Sequence, residues 1–303
     1  RQGKPPYRFN WNSPFILSHA NSKIFYAAGN HVFRSLNRGA ALKEISPEIT
    51  RTKQGSATAL SESPRNPDVL YVGTDDGLLW VTRNGGRDWT EITKSVGLKG
   101  PRWVATIEAS RFSDGRVYVA FDGHRSDDDS PLAFASEDFG KTWRSLKSNL
   151  SWGSTRCLRE DVGNPDLLFL GTEVGAWYSI DRGKNWNRFG GGFPTVAVHE
   201  IAVHPENGQI VAGTHGRSLW VCDVTTLRQL KVSQLSGTTL LYAPARVVRW
   251  QRHPARGSNS NQFRGTNQAT AAVIDYVLGK AAKKVSLKIV DVRGQSLHVV
   301  KGK

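Results

Sequence analysis

The sequence is short of methionine, cysteine and long apolar runs. Its 303 residues include no methionine and two cysteines. No stretch approaches the roughly 18 continuous apolar residues that a membrane-spanning helix requires, so we expect no such helix. Cys157 and Cys222 are too few for a disulfide scaffold or a zinc cluster. Because the chain starts at Arg1 without methionine, we expect an excerpt or a processed product, in which a missing signal peptide carries no information on compartment.

Acidic residues are also scarce, but only in the last quarter of the chain. Residues 1–225 hold 27 basic and 24 acidic side chains, whereas residues 226–303 hold 14 and 2. The last quarter therefore contributes +12 (14 − 2) of the formal charge of +15. An aromatic content of 10% and a hydrophobic content of 38% exclude a wholly disordered chain. The pattern indicates a near-neutral folded body with a basic tail.

The body is built from repeats. Asn66–Thr74 returns 98 residues later as Asn164–Thr172, and weaker copies occupy 23–29, 116–121 and 209–214. The copies are about 42 to 51 residues apart, a period typical of propeller blades. Each period contains short apolar or alternating runs separated by Gly, Asp and Asn, which predicts four strands joined by tight turns.

A second motif, Ser-x-Asp-x-Gly-x-x-Trp, falls late in the period. Ser136–Trp143 and Ser179–Trp186 match it fully, 82–89 has Asn at the acidic position, and 35–42 ends in Leu. The spacing predicts an Asp-box turn: the carboxylate accepts backbone hydrogen bonds, Gly takes positive φ and Trp packs on the blade. We therefore assign a structural role to the following residues: Asp138, Gly140, Trp143, Asp181, Gly183, Trp186 and Trp89.

These motifs resemble the Asp-box (BNR-repeat) β-propellers of the sortilin and xyloglucan-hydrolase type. The likeness is carried by 6–15, 120–128, 194–199 and 212–220, and it covers about residues 5 to 230. It is strongest with bacterial secreted proteins called sortilin-like or "glycosyl hydrolase, BNR repeat". The resemblance implies an all-β propeller, an extracytoplasmic location and a following immunoglobulin-like domain. A hydrolase label within such a family is weak support for chemistry, because function resides in the site rather than the fold.

The sequence accordingly predicts an all-β protein of three parts. About five four-stranded Asp-box blades occupy residues 1–230, a basic linker occupies 231–264, and an incomplete immunoglobulin-like β segment occupies 265–303. In that last part we expect strands over 271–278, 285–292 and 295–300, which are too few to close a sandwich.

Candidate ligand-binding residues cluster in the turns opposite the Asp boxes. The turns between the second and third strands of the blades are 74–77, 122–130, 172–175 and 214–217, and strand direction places them near the channel mouth. Carboxylates, histidines, arginines and aromatic rings there could form a polar ligand or sugar site. Turns are also commonly polar for conformational reasons alone. The candidates are Asp122, His124, Arg125, Asp127, Asp128, His199, His215, Arg217 and Trp103.

Glycoside hydrolysis remains the alternative. It would need an acid and a second carboxylate about 5 to 10 Å apart. The carboxylates that could supply them are Asp122, Asp127, Asp128, Glu173 and Glu200. Xyloglucan hydrolases place their two catalytic Asp residues on two propellers, and this chain has at most one. A sialidase-like arginine triad of Arg102, Arg125 and Arg217 lacks a matching nucleophilic Tyr motif.

Metal and nucleic acid are weaker alternatives. The run Asp127–Asp129 could hold a structural Ca²⁺, but it lacks the Gly and Glu spacing of a calcium loop. We predict no cofactor and no metal centre. The basic tail has charge enough for phosphate contacts but matches no base-reading module, so we favour docking to an acidic protein or anionic surface.

We therefore predict a non-catalytic extracytoplasmic binding or assembly scaffold. It would dock a protein or glycan partner through the polar mouth and the basic tail.

Overall fold

The computed structural model describes residues 6–235, 237–247 and 271–301. The chain separates into two compact units, Arg1–Arg228 and Gln229–Lys303. Within the described residues, none of the helices has the length and apolar content needed to cross a membrane.

The first unit consists of five successive antiparallel sheets, here called blades 1 to 5. Blade 1 contains β1 (Phe15–Leu17), β2 (Phe25–Ala28), β3 (Val32–Ser35) and β4 (Lys43–Glu44). Blade 2 contains β5 (Ala57–Glu62), β6 (Leu70–Thr74), β7 (Leu79–Thr82) and β8 (Thr90–Glu91). Blade 3 contains β9 (Trp103–Ala109), β10 (Val117–Asp122), β11 (Leu132–Ser136) and β12 (Arg144–Ser145).

Blade 4 contains β13 (Thr155–Glu160), β14 (Leu168–Thr172), β15 (Gly175–Ser179) and β16 (Asn187–Arg188). Blade 5 contains β17 (Val198–Val203), β18 (Gln209–Thr214) and β19 (Leu219–Asp223). Helix α1 (Thr93–Val96) follows blade 2, α2 (Thr225–Gln229) follows blade 5, and 3-10 turns cover His124–Ser126 and Val232–Gln234. Within each blade, strands pair in chain order, which confirms the predicted all-β fold.

Apolar side chains are buried between blades rather than within one. One cluster joins blades 1 and 2, a second joins blades 2 and 3, and a third joins blades 3 and 4. The second strands β6 and β14 are buried along their whole length, since both faces of the sheet are covered. Each blade is therefore stabilised mainly by its neighbours.

The Asp-box turns have the geometry that their residue types favour. In the turn after β11, Asp138 accepts hydrogen bonds from Ser136 Oγ (2.8 Å) and the Thr142 amide (2.9 Å). The latter bond is the main reason that the pKa of Asp138 lies below its ordinary value. Gly140 has φ +84°, and Gly183 has φ +76° in the turn around Asp181, a region where glycine carries no steric penalty.

The Asp-box tryptophans also tie neighbouring blades together. The indole Nε1 of Trp89 donates to the Ile45 carbonyl of blade 1 at 2.8 Å. Trp186 donates in the same way to the Leu146 carbonyl of blade 3 at 2.8 Å. The Trp of one box therefore fixes the preceding blade, as well as closing its own turn.

Blade 5 differs from the predicted four-stranded pattern, because it has three strands among the described residues. The chain after β19 has no Asp box to turn it into a fourth strand. It enters α2 instead, where Arg228 Nη2 pairs with the buried Asp161 of blade 4 at 2.7 Å.

Both cysteines are free thiols. Cys157 is buried on β13, and burial raises its pKa to about 12, so that the thiol is protonated and unreactive. Cys222 on β19 is partly exposed.

The second unit contains two two-stranded antiparallel sheets. β20 (Leu240–Leu241) pairs with β21 (Tyr276–Val277), and β22 (Ser286–Val290) pairs with β23 (Ser296–Lys301). The predicted strands over 271–278 and 285–292 are thus shorter than expected, because few of their side chains are buried. The immunoglobulin-like assignment stays a prediction. Much of the predicted basic linker lies outside the described residues, including Arg249, Arg252, Arg256 and residues 257–262.

Candidate functional site

The first strands of the five blades line a central channel with a volume of about 730 Å³. The wall is mixed in polarity, since these strands alternate small or apolar residues with charged ones. Its ionisable members come from all five blades: His19, Glu62, Glu108, Arg111, Asp122, Arg125, Arg156, Arg159, Glu160, His199 and Glu200.

At the channel mouth, Asp122 is the centre of a buried network. Ser154 Oγ donates to its carboxylate at 2.7 Å, and the His124 amide donates at 2.9 Å. The Arg156 guanidinium forms ion pairs with both Asp122 and Glu173. One arginine therefore joins β10 of blade 3 to the turn after β14 of blade 4.

The predicted 122–130 loop holds a second arginine–carboxylate pair. Arg102 donates from Nε (3.0 Å) and Nη2 (2.9 Å) to Oδ2 of Asp128. The bond from Arg102 is the largest cause of the lowered pKa of Asp128. Asp127 is exposed and has the left-handed φ of +53° that ends the 3-10 turn. The loop is therefore shaped by its charged groups.

Aromatic rings at the mouth are partly covered by cations. The Arg125 guanidinium lies over the Trp103 ring, 5.4 Å from its centroid. Cation–π contacts of this kind contribute about 0.5 to 1 kcal/mol at exposed sites. Arg125 would have to move before a sugar could stack on Trp103.

Two of the three predicted histidines, His199 and His215, are stacked on each other. The rings of His199 and His215 lie 5.0 Å apart with an interplanar angle of 25°. Burial lowers the pKa of His199, and the charge of Arg156 lowers it further, so the ring is neutral near pH 7. No group of three or more metal-ligating side chains occurs in the described residues.

Arg217 stands apart from the other candidates. It lies on the exposed turn between β18 and β19, where its carbonyl accepts a bond from Trp220 Nε1 at 2.9 Å. No contact in the described part of the chain joins its side chain to the 122–130 loop. The arginine triad of Arg102, Arg125 and Arg217 therefore stays a prediction.

Sequence reasoning missed Arg159 and Glu108, which lie deeper in the channel. Arg159 on β13 donates to Thr106 Oγ1 (2.6 Å) and Glu200 Oε2 (2.7 Å), and its Nη1 lies 3.9 Å from Glu108 Oε2. Burial raises the pKa of Glu108 to about 7, and the nearby Glu160 adds to this. The available signal was the Thr155–Glu160 strand itself, because two arginines on an otherwise buried inner strand require acidic partners.

The mouth carboxylates are held in ion pairs with arginines. Asp122 and Glu173 share Arg156, and Asp128 is held by Arg102. A general acid needs a pKa near the working pH. Among the channel carboxylates, burial raises the pKa of Glu108 and of Glu160. The carboxylate of Glu160 is buried and accepts hydrogen bonds from Ser110 Oγ and the Arg111 amide.

The fold matches β-propellers of known structure. An ancestral GH74 enzyme is 16% identical with a TM-score of 0.59, over 99% of this chain and 39% of that one. A GH74 xyloglucanase from Xanthomonas campestris is 15% identical with a TM-score of 0.57, over 69% and 36%. A chain of the mitotic checkpoint complex is 11% identical with a TM-score of 0.55, over 73% and 65%.

The matched region is therefore under two-fifths of the length of the two GH74 chains. No family model and no curated protein matches the sequence. At these identities the likeness shows a β-propeller fold and nothing about substrate.

Proposed function

We propose that this chain is a non-catalytic, extracytoplasmic binding or assembly scaffold, whose propeller mouth docks a protein or glycan partner. The observation that carries the proposal is the pairing of the mouth carboxylates with arginines. Three of the candidate catalytic carboxylates, Asp122, Glu173 and Asp128, each belong to an ion pair that holds the loops in place.

Such pairs suit recognition better than hydrolysis. A retaining or inverting glycosidase needs one carboxyl that carries a proton and a second that faces the sugar. In this chain Asp122, Glu173 and Asp128 instead face arginine side chains. The same pairs fix donors and acceptors at the rim, so that a partner meets a preorganised polar surface.

The basic second unit supports docking as well. Its described lysines are exposed, and they include Lys280, Lys283, Lys284 and Lys288. Clustered positive charge accelerates association with acidic partners and holds them through screened, salt-sensitive contacts. Neither contribution requires a catalytic group.

A photo-cross-linking amino acid at position 124 tests where partners bind. His124 is exposed at the mouth, and Arg87, exposed on the Asp-box turn of blade 2, provides the control position. A discrete cross-linked protein or glycan from position 124 and none from position 87 is expected. Cross-linking from both positions alike, or from neither, would contradict docking at the mouth.

Glycoside hydrolysis is the second candidate, and one observation favours it. Glu108 lies in the channel wall with its pKa raised to about 7, the property of a general acid. Hydrolysis through Glu108 would be abolished by Glu108→Gln, whereas an Asp127→Ala variant in the exposed loop would retain it.

A further inference from the structure

Inside the arc of blades, each blade buries an apolar face against the next. Leu79 and Val81 on the third strand of blade 2 are 1% and 5% exposed. They belong to the cluster that contains Val104 and Ile107 on the first strand of blade 3. We call the third-strand side of a blade its exit face and the first-strand side its entry face.

Blade 5 has the same exit face, but it is bare. Leu219 pairs with Gly213 as Leu79 pairs with Gly73, so that Leu219 and Val221 correspond to Leu79 and Val81. Leu219 is 70% exposed and Val221 is 62% exposed. In blade 2 the apolar side chains at these two positions are buried almost completely.

Blade 1 has a bare entry face. Phe15 pairs with Ala27 in the register in which Ile107 pairs with Val119 and Leu158 pairs with Leu170. Ile107 and Leu158 are 5% and 0% exposed, whereas Phe15 is 70% exposed. Leu17, two residues further along the same strand, is also exposed.

The two faces are complementary in kind. In the described residues no strand pairs blade 1 with blade 5, yet both line the same channel. Every interior junction joins an exit face to an entry face, so the known partner of each bare face is the opposite face of a further blade. Exposed apolar faces of this kind are interaction surfaces in soluble proteins.

We infer that the gap between blades 5 and 1 is a docking seat for one to three further propeller blades, supplied by polypeptide outside these 303 residues. Closed propellers typically contain about 4 to 8 blades, and five are present here. A second copy of this chain would add five more blades and give ten, which is outside that range.

The occupant has a defined chemistry. Against Phe15 and Leu17 it presents a third strand with small or branched apolar residues, as β7 does. Against Leu219 and Val221 it presents an apolar first strand, as β9 does. The seat consists of apolar blade faces rather than the ion-paired loops around Asp122 and Asp128, so this inference goes beyond the proposed function and can fail independently of it.

The test adds a blade to the full chain. A second copy of residues 55–100, which contains blade 2 and its helix, is fused ahead of residue 1. The matched control carries the same copy with its own Leu79→Lys and Val81→Lys changes. We expect a melting temperature at least about 2 °C higher for the apolar copy than for the control, in line with about 1 kcal/mol or more of added stability. Hydrogen exchange should show protection of the β1 amides in the apolar fusion only.

Two results would overturn the inference. Equal melting temperatures and equal β1 protection in both fusions would show that blade 1 does not accept an exit face. A concentration-dependent dimer of the original chain, abolished by both Phe15→Lys and Val221→Lys, would show that a second copy occupies the seat. A monomeric original chain, with Phe15→Lys nearly neutral and Ile107→Lys strongly destabilising, supports bare faces awaiting other blades.

Discussion

At the residue scale, arginines set the behaviour of the channel. Arg156 and Arg102 form ion pairs with their carboxylate partners, whereas the nearest guanidinium nitrogen of Arg159 lies 3.9 Å from Glu108, and burial raises the pKa of Glu108. A charge that is only partly compensated raises the pKa of its carboxyl, because the neutral form avoids the desolvation cost.

Glu108 should therefore make folding depend on pH. Its folded-state pKa of about 7 lies above the ordinary value of 4.5, so the folded state binds the proton more tightly. The stabilising contribution is complete below about pH 4.5 and is lost as the pH rises through about 7. We expect Glu108→Gln to flatten the pH dependence of unfolding free energy across this range. Urea titrations from pH 4.5 to 8 measure it, and an unchanged slope in the variant would refute the assignment.

The mouth shows how far residue-level prediction from sequence extends. The 122–130 loop was identifiable because it contains more unlike charges than a turn requires. Its pairing partners were not: Arg156 and Ser154 come from the next blade, and only the twist and register of the sheets bring them to Asp122. Spacing along the chain contains no such information.

At the element scale, the junctions between blades differ in the hydrogen bonding of a buried tyrosine. Tyr118 of blade 3 donates from Oη to Glu160 of blade 4 at 3.3 Å. Tyr71 occupies the matching position in blade 2, but the next blade has Ala109 where blade 4 has Glu160. The Tyr71 hydroxyl is buried and has no hydrogen-bond partner in the described part of the chain.

This difference predicts opposite effects for one substitution. Tyr118→Phe should lower the free energy of unfolding by about 1 kcal/mol, because it leaves Glu160 with one bond fewer. Tyr71→Phe should leave it unchanged or raise it, because it removes a buried hydroxyl without a partner. Urea unfolding of the two variants provides the comparison. An equal loss in both would show that Tyr71 finds a bond the structure does not contain.

Blade elements were largely predictable, since tight turns and buried strands are local. The Asp boxes and the Asn-Pro-Asp repeats marked the turns and second strands of blades 2 to 4. Repetition predicted a fourth strand in blade 5 that the described residues do not contain. The chain there enters a helix anchored by Arg228 and Asp161 instead. That anchor joins residues 67 positions apart.

At the scale of the whole molecule, charge and apolar surface are segregated. The mouth is polar and ion-paired, the bare blade faces are apolar, and the basic excess lies in the second unit. Each surface suits a different contact, which is the organisation expected of a protein that assembles with others.

The basic unit should dominate binding to anionic surfaces. Reversal of three of its lysines (Lys280→Glu, Lys283→Glu, Lys284→Glu) should lower the salt concentration that elutes the full chain from a cation exchanger. The control reverses three exposed lysines of the propeller, Lys141, Lys147 and Lys184. Both triple variants change the net charge by the same amount, so a larger shift for the first isolates the effect of clustering. Equal shifts would show that position does not matter.

The central claim is that the mouth binds without hydrolysing. The release of reducing ends from xyloglucan and a panel of β-glucans measures hydrolysis directly, at protein concentrations high enough to detect slow turnover. We predict no release above background by the chain, and no difference between it and the Asp122→Ala, Asp127→Ala and Glu108→Gln variants. Turnover that is present in the original chain and lost in Asp122→Ala or Glu108→Gln would contradict the account.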